Sequence, residues 1–161
     1  MNLYTVIYDS PVGFLYLVAN DQKLLLLKFQ LKHNNFLKNT LLKKSNNILE
    51  KTQKQLSEYF KGERKFFDIP LDFIYGTDFQ KKVWNQLRKI NYGTTSSYKH
   101  IAEKINNPKS YRAVGNANNK NPISIIVPCH RIIANSGDLA GYGGGLEIKK
   151  YLLKLEQSNP S

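Results

Sequence analysis

Hydrophobic positions in the first thirty residues fall in short runs that predict β-strands. The runs LYTVIYD, GFLYLVA and KLLLLKF are rich in β-branched, aromatic and aliphatic residues, and polar or proline-containing turns separate them. Helical spacing follows over about 46–61. The segment FFDIPLDF (66–73) predicts one more strand, at a sheet edge because Pro70 has no N–H to donate. The Lys- and Asn-rich stretch 32–47 predicts a mobile, solvated connection.

After residue 75 the apolar positions change to helical spacing. Thr77 and Gln80 form a capping box in front of one apolar helical face, and Ser97 can cap a second, short helix. The stretch 106–108 (Asn-Asn-Pro) breaks that helix, and a third helix is predicted to begin near 109–110. Two short helices about a tight turn are typical of a helix-turn-helix, although any helical hairpin gives the same pattern.

The last amphipathic pattern predicts a helix that ends near Glu156. An acid at a helix C-terminus is unfavourable against the helix dipole, so Glu156 is expected to have another partner. The predicted buried stripe of this helix is Ile148, Tyr151, Leu152 and Leu155.

Composition places the chain among globular proteins. Its 161 residues, 41% hydrophobic and 12% aromatic, are enough for one ordinary domain or two small ones. One cysteine cannot form an internal disulfide, which fits a reducing compartment. Neither a secretory signal nor an apolar run of membrane-spanning length is visible, so we expect a cytoplasmic protein that does not bind membranes.

The charge balance favours a polyanionic partner. The chain has 24 basic and 12 acidic residues, a net charge of +12. Residues 1–75 carry a net +4 and residues 76–161 a net +8, so the excess lies in the second half. Nucleic acid is the obvious polyanion, although a lysine-rich composition can also reflect codon bias.

The only cysteine, Cys129, lies in the apolar run IIVPCHRII. A lone cysteine is commonly a small buried hydrophobe. Beside His130, however, it is a candidate nucleophile, because an imidazole can take the thiol proton and an acid can orient the imidazole. Neighbours in a strand point to opposite faces, so this pair needs a turn or a bridging water. Glu156 is the favoured acid, and the relay is expected to lower the pKa of Cys129.

Four blocks in order give a family resemblance: "TDFQKKVW", "GTTSSY", "YRAVGNANNKNPISIIVPCHR" and "GYGGGLEIKKYLLKLE". The chain from about Thr77 to Glu156 resembles the O6-alkylguanine-DNA alkyltransferases, whereas the first half resembles them mainly through its strand-rich pattern. The resemblance implies an α+β fold. Residues 1–75 would form an amino-terminal β-sheet plus helix, ribonuclease H-like, and residues 76–161 a mostly helical, winged helix-turn-helix-like catalytic domain. His33 alone is no metal site, so neither a metal nor another cofactor is expected.

The resemblance also implies a reaction. A monomer would bind double-stranded DNA through the minor groove, flip out O6-alkylguanine, and transfer the alkyl group irreversibly to its own cysteine. In this sequence the nucleophile falls on Cys129, the base acting through water on His130, and the orienting acid on Glu156. Asn121 would organise the active-site turn, and Tyr98 would donate a hydrogen bond toward the purine ring.

Further roles implied by the resemblance concern DNA and the pocket. Arg112 matches an arginine finger that fills the gap left by the flipped base. Around it, the resemblance implies DNA contacts by Ser110, Tyr111, Ala113, Gly115 and Asn118, with position 118 bulkier and apolar in some relatives. The alkylguanine pocket would be walled by Pro128, Tyr142, Gly143 and Gly144, where glycine permits close backbone approach.

Two alternatives of other classes stay open. A cysteine hydrolase could use Cys129 and His130, although direct neighbours are an awkward nucleophile–base pair. A damage-binding module could flip the base without repairing it, but relatives of that kind lack the cysteine that this chain has.

Overall fold

The structure, a computed structural model, describes residues 2–30, 41–139 and 141–159. The chain divides into two compact units, Met1–Ile74 and Tyr75–Ser161. Within the described ranges, no helix combines the length and the apolar character needed to cross a bilayer.

The first unit is built on a sheet. Strands β1 (Leu3–Ser10), β2 (Gly13–Ala19) and β3 (Leu24–Lys28) are antiparallel, as the three apolar runs predicted. A two-residue strand, β4 (Leu41–Leu42), pairs parallel with β1, so the order is β3-β2-β1-β4. The prediction of a mobile, solvated connection over 32–47 is therefore wrong for the two residues of β4. Residues 31–40 lie outside the described ranges.

Helix α1 (Asn47–Phe60) packs on this sheet. The Asn46 side chain caps it by accepting from the Leu49 N–H, which satisfies one of the free donors at the helix start. Its buried face meets a largely aliphatic interior. Thr52, a buried polar residue, donates to the Ile48 carbonyl at 2.7 Å, so its burial leaves no donor unsatisfied.

The strand predicted over 66–73 is wrong. The segment is irregular, and its ladder contact is one isolated bridge between Leu24 and Leu71. Two backbone hydrogen bonds join Leu24 to this segment, one accepted by the Pro70 carbonyl and one donated by the Asp72 N–H. Because proline has no N–H, it offers only its carbonyl, and pairing does not extend past one residue.

The second unit is mostly helical, as predicted. Thr77 and Gln80 form the capping box of α2 (Asp78–Leu87), and Ser97 caps α3 (Tyr98–Lys104). After a 3-10 turn, α4 (Tyr111–Asn119) follows, and α3 packs against it. The buried Trp84 indole donates to the Ala117 carbonyl at 2.8 Å and joins α2 to α4.

Two short strands bring distant segments of this unit together. Strand β5 (Ser96–Ser97) pairs parallel with β6 (Ile132–Ile133). Because β5 leads into α3 and β6 follows the turn at Cys129, this pairing holds the start of α3 beside the cysteine.

Helix α5 (Leu146–Ser158) closes the unit, but its predicted buried stripe is partly wrong. Tyr151 is exposed, and Ile148 is only partly buried. The residues buried on α5 are Lys149, Leu152, Leu153 and Glu156. A hydrophobic pattern cannot predict this face, because two of its four positions carry charge.

Candidate active site

Cys129 lies in a turn and not in a strand. Cys129–Arg131 form one turn of 3-10 helix, closed by a hydrogen bond from the Arg131 N–H to the Pro128 carbonyl at 3.0 Å. The cysteine is a free thiol and is 4% exposed. In a strand the side chains of Cys129 and His130 would point to opposite faces. The turn avoids that arrangement, which is the condition for coupling the two residues.

Asn121 organises the segment that precedes the cysteine. Its carboxamide oxygen accepts from the Ile123 N–H at 3.0 Å, and its amide nitrogen donates to the Val127 carbonyl at 2.8 Å. Between these anchors, Ile125 has a φ of 71°. A positive φ is a strained conformation for a β-branched residue, so the surrounding contacts must hold it.

His130 and Glu156 form a buried pair. The imidazole Nε2–H donates to the Glu156 Oε2 at 2.7 Å, with the two side chains 0% and 1% exposed. This bond leaves Nδ1 as the proton acceptor, and Nδ1 is buried with no partner among the described residues. Burial lowers the pKa of His130 below its usual 6.5, although Glu156 opposes that shift. The imidazole is therefore neutral near pH 7, and its Nδ1 can accept a proton.

Arg131 holds the same carboxylate from the other side. Its Nε donates to the Glu156 Oε1 at 2.8 Å, and a terminal guanidinium nitrogen donates to Oε2 at 3.1 Å. The other terminal nitrogen donates to the Ile90 carbonyl at 2.7 Å. Burial would raise the pKa of Glu156, but His130 and Arg131 outweigh it and hold that pKa at about 2. The prediction that Glu156 has a partner other than the helix is therefore confirmed, and the partners are His130 and Arg131.

The expected lowering of the pKa of Cys129 is wrong. Burial raises the pKa of this thiol, although the Asn121 side chain and the Lys149 charge oppose the shift. An apolar, enclosed position disfavours the thiolate more than its neighbours favour it. The proton must therefore leave the thiol during the reaction, since a standing thiolate is not the resting state.

Lys149 is the buried charge that sequence reasoning missed. It is 0% exposed, and its ammonium donates to the Ile132 carbonyl. Burial lowers its pKa, and the nearby Cys129 opposes this. The only sequence feature that could have indicated its burial is its position beside the apolar residues of α5. A charged residue at such a position is ordinarily interpreted as a break in the buried face.

Two tyrosines lie near the thiol. Burial raises the pKa of Tyr98, at the start of α3, and ionisation of Cys129 would raise it further. Gly115 faces Tyr98, since an added Cβ there would lie 3.6 Å from the tyrosine Cε1. The pKa of Tyr142 is raised well above its usual value by burial and by Cys129. Both phenols therefore stay protonated and can act as hydrogen-bond donors.

The other predicted pocket residues differ in exposure. Pro128, directly before the cysteine, is buried. Gly143 is exposed, and an added Cβ would approach the Asn119 carbonyl oxygen at 3.9 Å. Gly144 is partly buried. Their assignment to the pocket stays a prediction.

Helix α4 presents most of its predicted DNA-contact residues outward. Tyr111, Arg112 and Ala113 are exposed, and Ser110 and Gly115 are partly buried. The Arg112 guanidinium carbon lies 5.9 Å from the centroid of the Tyr111 ring. Because its side chain is exposed, Arg112 is available to a ligand.

Asn118 does not fit the predicted DNA contact. It is 1% exposed, and its amide nitrogen donates to the Cys129 carbonyl at 3.4 Å. Its position on α4 turns it away from Arg112 and toward the cysteine, because residues six apart lie on different faces of a helix. Asn118 therefore belongs to the surroundings of the thiol.

No metal centre is visible in the part of the chain that the structure describes, where no three His, Cys, Asp or Glu side chains cluster. His33 lies outside the described residues.

Comparison with known proteins gives the family. Residues 78–158 match the model "6-O-methylguanine DNA methyltransferase, DNA binding domain", and residues 3–73 match its "ribonuclease-like domain". A methylated-DNA–protein-cysteine methyltransferase of Methanosarcina acetivorans is 45% identical over 97% of this chain and 99% of its own length. The crystal structure of Mycobacterium tuberculosis OGT in complex with DNA superposes with a TM-score of 0.86. It is 44% identical, and the match covers 99% of this chain and 94% of that one.

A second solved structure supports the same fold. The O6-methylguanine DNA methyltransferase of Methanococcus jannaschii is 29% identical, with a TM-score of 0.70, and the match covers 97% of this chain and 95% of that one. The ribonuclease-like first part and the helical second part of the predicted fold are confirmed. From both family models and these near full-length relatives, the chain belongs to the 6-O-methylguanine DNA methyltransferase family.

Proposed function

We propose that this protein repairs DNA by transferring the alkyl group of O6-alkylguanine to the Sγ of Cys129, once per chain. One observation carries the assignment. The only thiol belongs to the residue directly before His130, whose buried imidazole donates from Nε2–H to an ionised carboxylate and whose Nδ1 has no partner among the described residues. A base that is oriented, neutral and buried beside a nucleophile is the arrangement that nucleophilic catalysis needs.

The proposed chemistry balances as a single displacement. The thiol proton passes, through one bridging water, to the His130 Nδ1, and the Glu156 carboxylate stabilises the imidazolium. The sulfur forms a bond to the alkyl carbon as the bond from that carbon to O6 breaks. Guanine leaves with the electron pair and takes up one proton from water, while the His130 imidazolium returns its proton to the bridging water, so the products are guanine, S-alkylcysteine and the neutral imidazole. The Tyr98 hydroxyl donates toward the purine ring and offsets its developing negative charge.

Arg131 is a positioning residue in this scheme. Its bonds to both Glu156 oxygens and to the Ile90 carbonyl fix the carboxylate that His130 needs. They also keep that carboxylate ionised, because the pKa of Glu156 is held at about 2. Glu156 therefore stabilises the imidazolium without taking its proton.

The partner is DNA, and we infer double-stranded DNA entered through the minor groove by α4. The exposed Arg112 on this helix and the net charge of +8 over residues 76–161 support the inference. A monomer is sufficient for the reaction, since the proposed reacting residues lie in one chain. Arg112 would occupy the place of the flipped base.

Intact-mass measurement after mixing the protein with duplex that carries O6-methylguanine tests the proposal. The expected result is a gain of one methyl group per chain, located on the peptide that contains Cys129. Duplex with unmodified guanine is the matched control and should leave the mass unchanged. Binding without a mass gain would favour a non-repairing damage binder. Repeated turnover of an ester substrate would favour a cysteine hydrolase.

A further inference from the structure

We infer that a polar cavity beside α3 binds a backbone phosphate of DNA, at a place separate from the contacts of α4. This inference rests on the proposed function and deepens it, because it gives the second unit a second contact with the polyanion. The cavity has a volume of about 530 Å³ and is lined by the end of α2, the segment 91–96 and one face of α3.

The side chains around the cavity are basic and no acid balances them. Lys89 follows the end of α2, while His100 and Lys104 lie four residues apart on α3 and therefore on the same face of that helix. The described residues that line the cavity include no aspartate or glutamate. None of the three basic side chains forms an ion pair with a described residue. A cleft lined by one sign of charge concentrates ions of the opposite sign, so this cavity favours an anion.

Hydroxyl groups line the same cavity and identify the kind of anion. The Thr94 hydroxyl is used within its own segment, where it donates to the Asn91 carbonyl at 2.7 Å. Thr95 and Ser96 also line the cavity, and the enclosed Ser96 Oγ has no hydrogen-bond partner among the described residues. A hydroxyl can donate to a phosphate oxygen. Lysine together with serine and threonine is the set of side chains that contacts the phosphates of DNA.

The position of the cavity favours the DNA strand that carries the reacting base. Ser96 and His100 stand two residues before and two residues after Tyr98, which is the residue proposed to meet the flipped purine. The pairing of β5 with β6 holds this part of the chain beside the Cys129 turn. A neighbouring cavity shares Thr95, Ser96 and His100 and is also lined by residues of the segment 133–137, after β6. A phosphate close to the flipped nucleotide can therefore enter the cavity while α4 lies in the groove.

Neutral phosphates at single positions test the inference. Duplexes that carry O6-methylguanine are made with one methylphosphonate, which lacks the phosphate charge, at each position in turn near the damaged base. Duplex affinity is measured for wild type, Lys89→Gln, Lys104→Gln and the control Lys154→Gln. Lys154 is exposed on α5, so the control removes one charge of the same unit away from the cavity. The thermal midpoint of each variant reports its folding.

The expected result is a loss that depends on one phosphate. Each cavity variant should bind ordinary duplex about fivefold more weakly, and the slope of log affinity against log salt should fall by about 0.9 for one lost phosphate contact. At one position the methylphosphonate should weaken wild type and Lys154→Gln by about fivefold but leave the cavity variants unchanged, because their contact is already lost. Transfer from the free base O6-methylguanine should keep the wild-type rate in all variants, since a free base has no backbone.

Three outcomes would overturn the inference. Losses that add at every methylphosphonate position would mean that the cavity lysines meet no particular phosphate. A loss of duplex affinity in Lys154→Gln as large as in the cavity variants would mean that only general surface charge matters. Binding of inorganic phosphate that the cavity variants lose, with unchanged duplex affinity, would assign the cavity to free phosphate and not to DNA. Failure of the proposed function is distinguishable, because wild type would then gain no methyl group, whereas the phosphate series measures binding alone.

Discussion

The interiors of the two units are built from different kinds of side chain. In the first unit the buried residues are mainly aliphatic, with Leu15, Leu17 and Leu24–Leu27 from the sheet and Leu49 and Leu56 from α1. In the second unit the interior also holds His130, Arg131, Lys149 and Glu156, all less than 8% exposed.

The difference separates a scaffold from a reacting site. Burying apolar surface stabilises a fold without further conditions. Burying charge is unfavourable unless each group is paired and hydrogen-bonded, and even then it gives little net stability. The second unit meets that condition for three of these groups by joining His130 and Arg131 to one carboxylate, while Lys149 donates to the Ile132 carbonyl. Such a network points to chemistry and not to stability.

The largest expected effect comes from the thiol. Cys129→Ser should abolish alkyl transfer, because the chain has no second thiol and a serine hydroxyl is a far weaker nucleophile. DNA binding should persist, since the exposed face of α4 is unchanged. Transfer rates and duplex affinity are the two measurements. Methyl transfer by the serine variant would contradict the assignment.

The buried carboxylate should have the next largest effect. Glu156→Gln should slow transfer by about tenfold or more, because the neutral amide no longer stabilises the imidazolium. The matched control is Glu147→Gln on the same helix. The Glu147 side chain is 92% exposed, and its Oε1 lies 3.5 Å from the Lys150 Nζ in a surface ion pair. The control variant should therefore keep the wild-type rate.

The pH profile sharpens the same prediction. The pKa of His130 is lowered and that of Cys129 is raised, so between these two pKa values the imidazole stays neutral and the thiol stays protonated. The transfer rate of wild type should therefore be nearly independent of pH over about pH 7 to 8.5. In Glu156→Gln the rate should rise with pH, since the thiolate must then form without the relay. Equal profiles for the two proteins would mean that Glu156 only stabilises the fold.

Much of this contrast could be predicted from the sequence. The three strands, α1 and the helices after Thr77 follow from apolar spacing and capping residues, which are local properties. The strand at 66–73 was predicted wrongly, because its β-propensity was offset by Pro70 and by pairing that stops after one residue.

The site could be predicted only where a motif marked it. PCHR and the late glutamate led to Cys129, His130 and Glu156, whereas nothing in the sequence identified Lys149 as buried. The resemblance implied a DNA contact for Asn118, whereas α4 buries this side chain, because a motif match does not give the burial of each helix position. The direction of the Cys129 pKa was wrong, since burial is a tertiary property that local neighbours do not reveal.

Arg112 should have a smaller, substrate-dependent effect. Arg112→Ala should reduce transfer on duplex by about tenfold, because unstacking a base costs a few kcal/mol that the side chain helps to offset. On a free alkylguanine base the rate should change little. Lys109→Ala is the matched control, since it removes one charge at a neighbouring exposed position. It should instead weaken binding to duplex with and without the alkylated base, and reduce the salt dependence of that binding. Equal losses for Arg112→Ala on both substrates would assign it to the fold.

The smallest expected effect is on stability at mildly acidic pH. His130 resists protonation in the folded state, so the unfolded state binds the proton first as pH falls below 6.5, and stability should decrease. Glu156 adds to the loss as pH falls from 4.5 toward 2. The fluorescence of Trp84, the single tryptophan, reports urea unfolding of the second unit at pH 7 and pH 5. A urea midpoint that is unchanged or higher at pH 5 would contradict the neutral buried imidazole.

We propose that the buried network of the second unit serves one irreversible transfer to Cys129. Titrating the protein with duplex that carries labelled O6-methylguanine tests this most directly. We expect the label on the protein to reach a plateau at one methyl per chain. An equal amount of unmodified guanine should appear in the DNA, and the label should map to the Cys129 peptide. Label above one per chain, continued release of product after the plateau, or label on any other residue would contradict it.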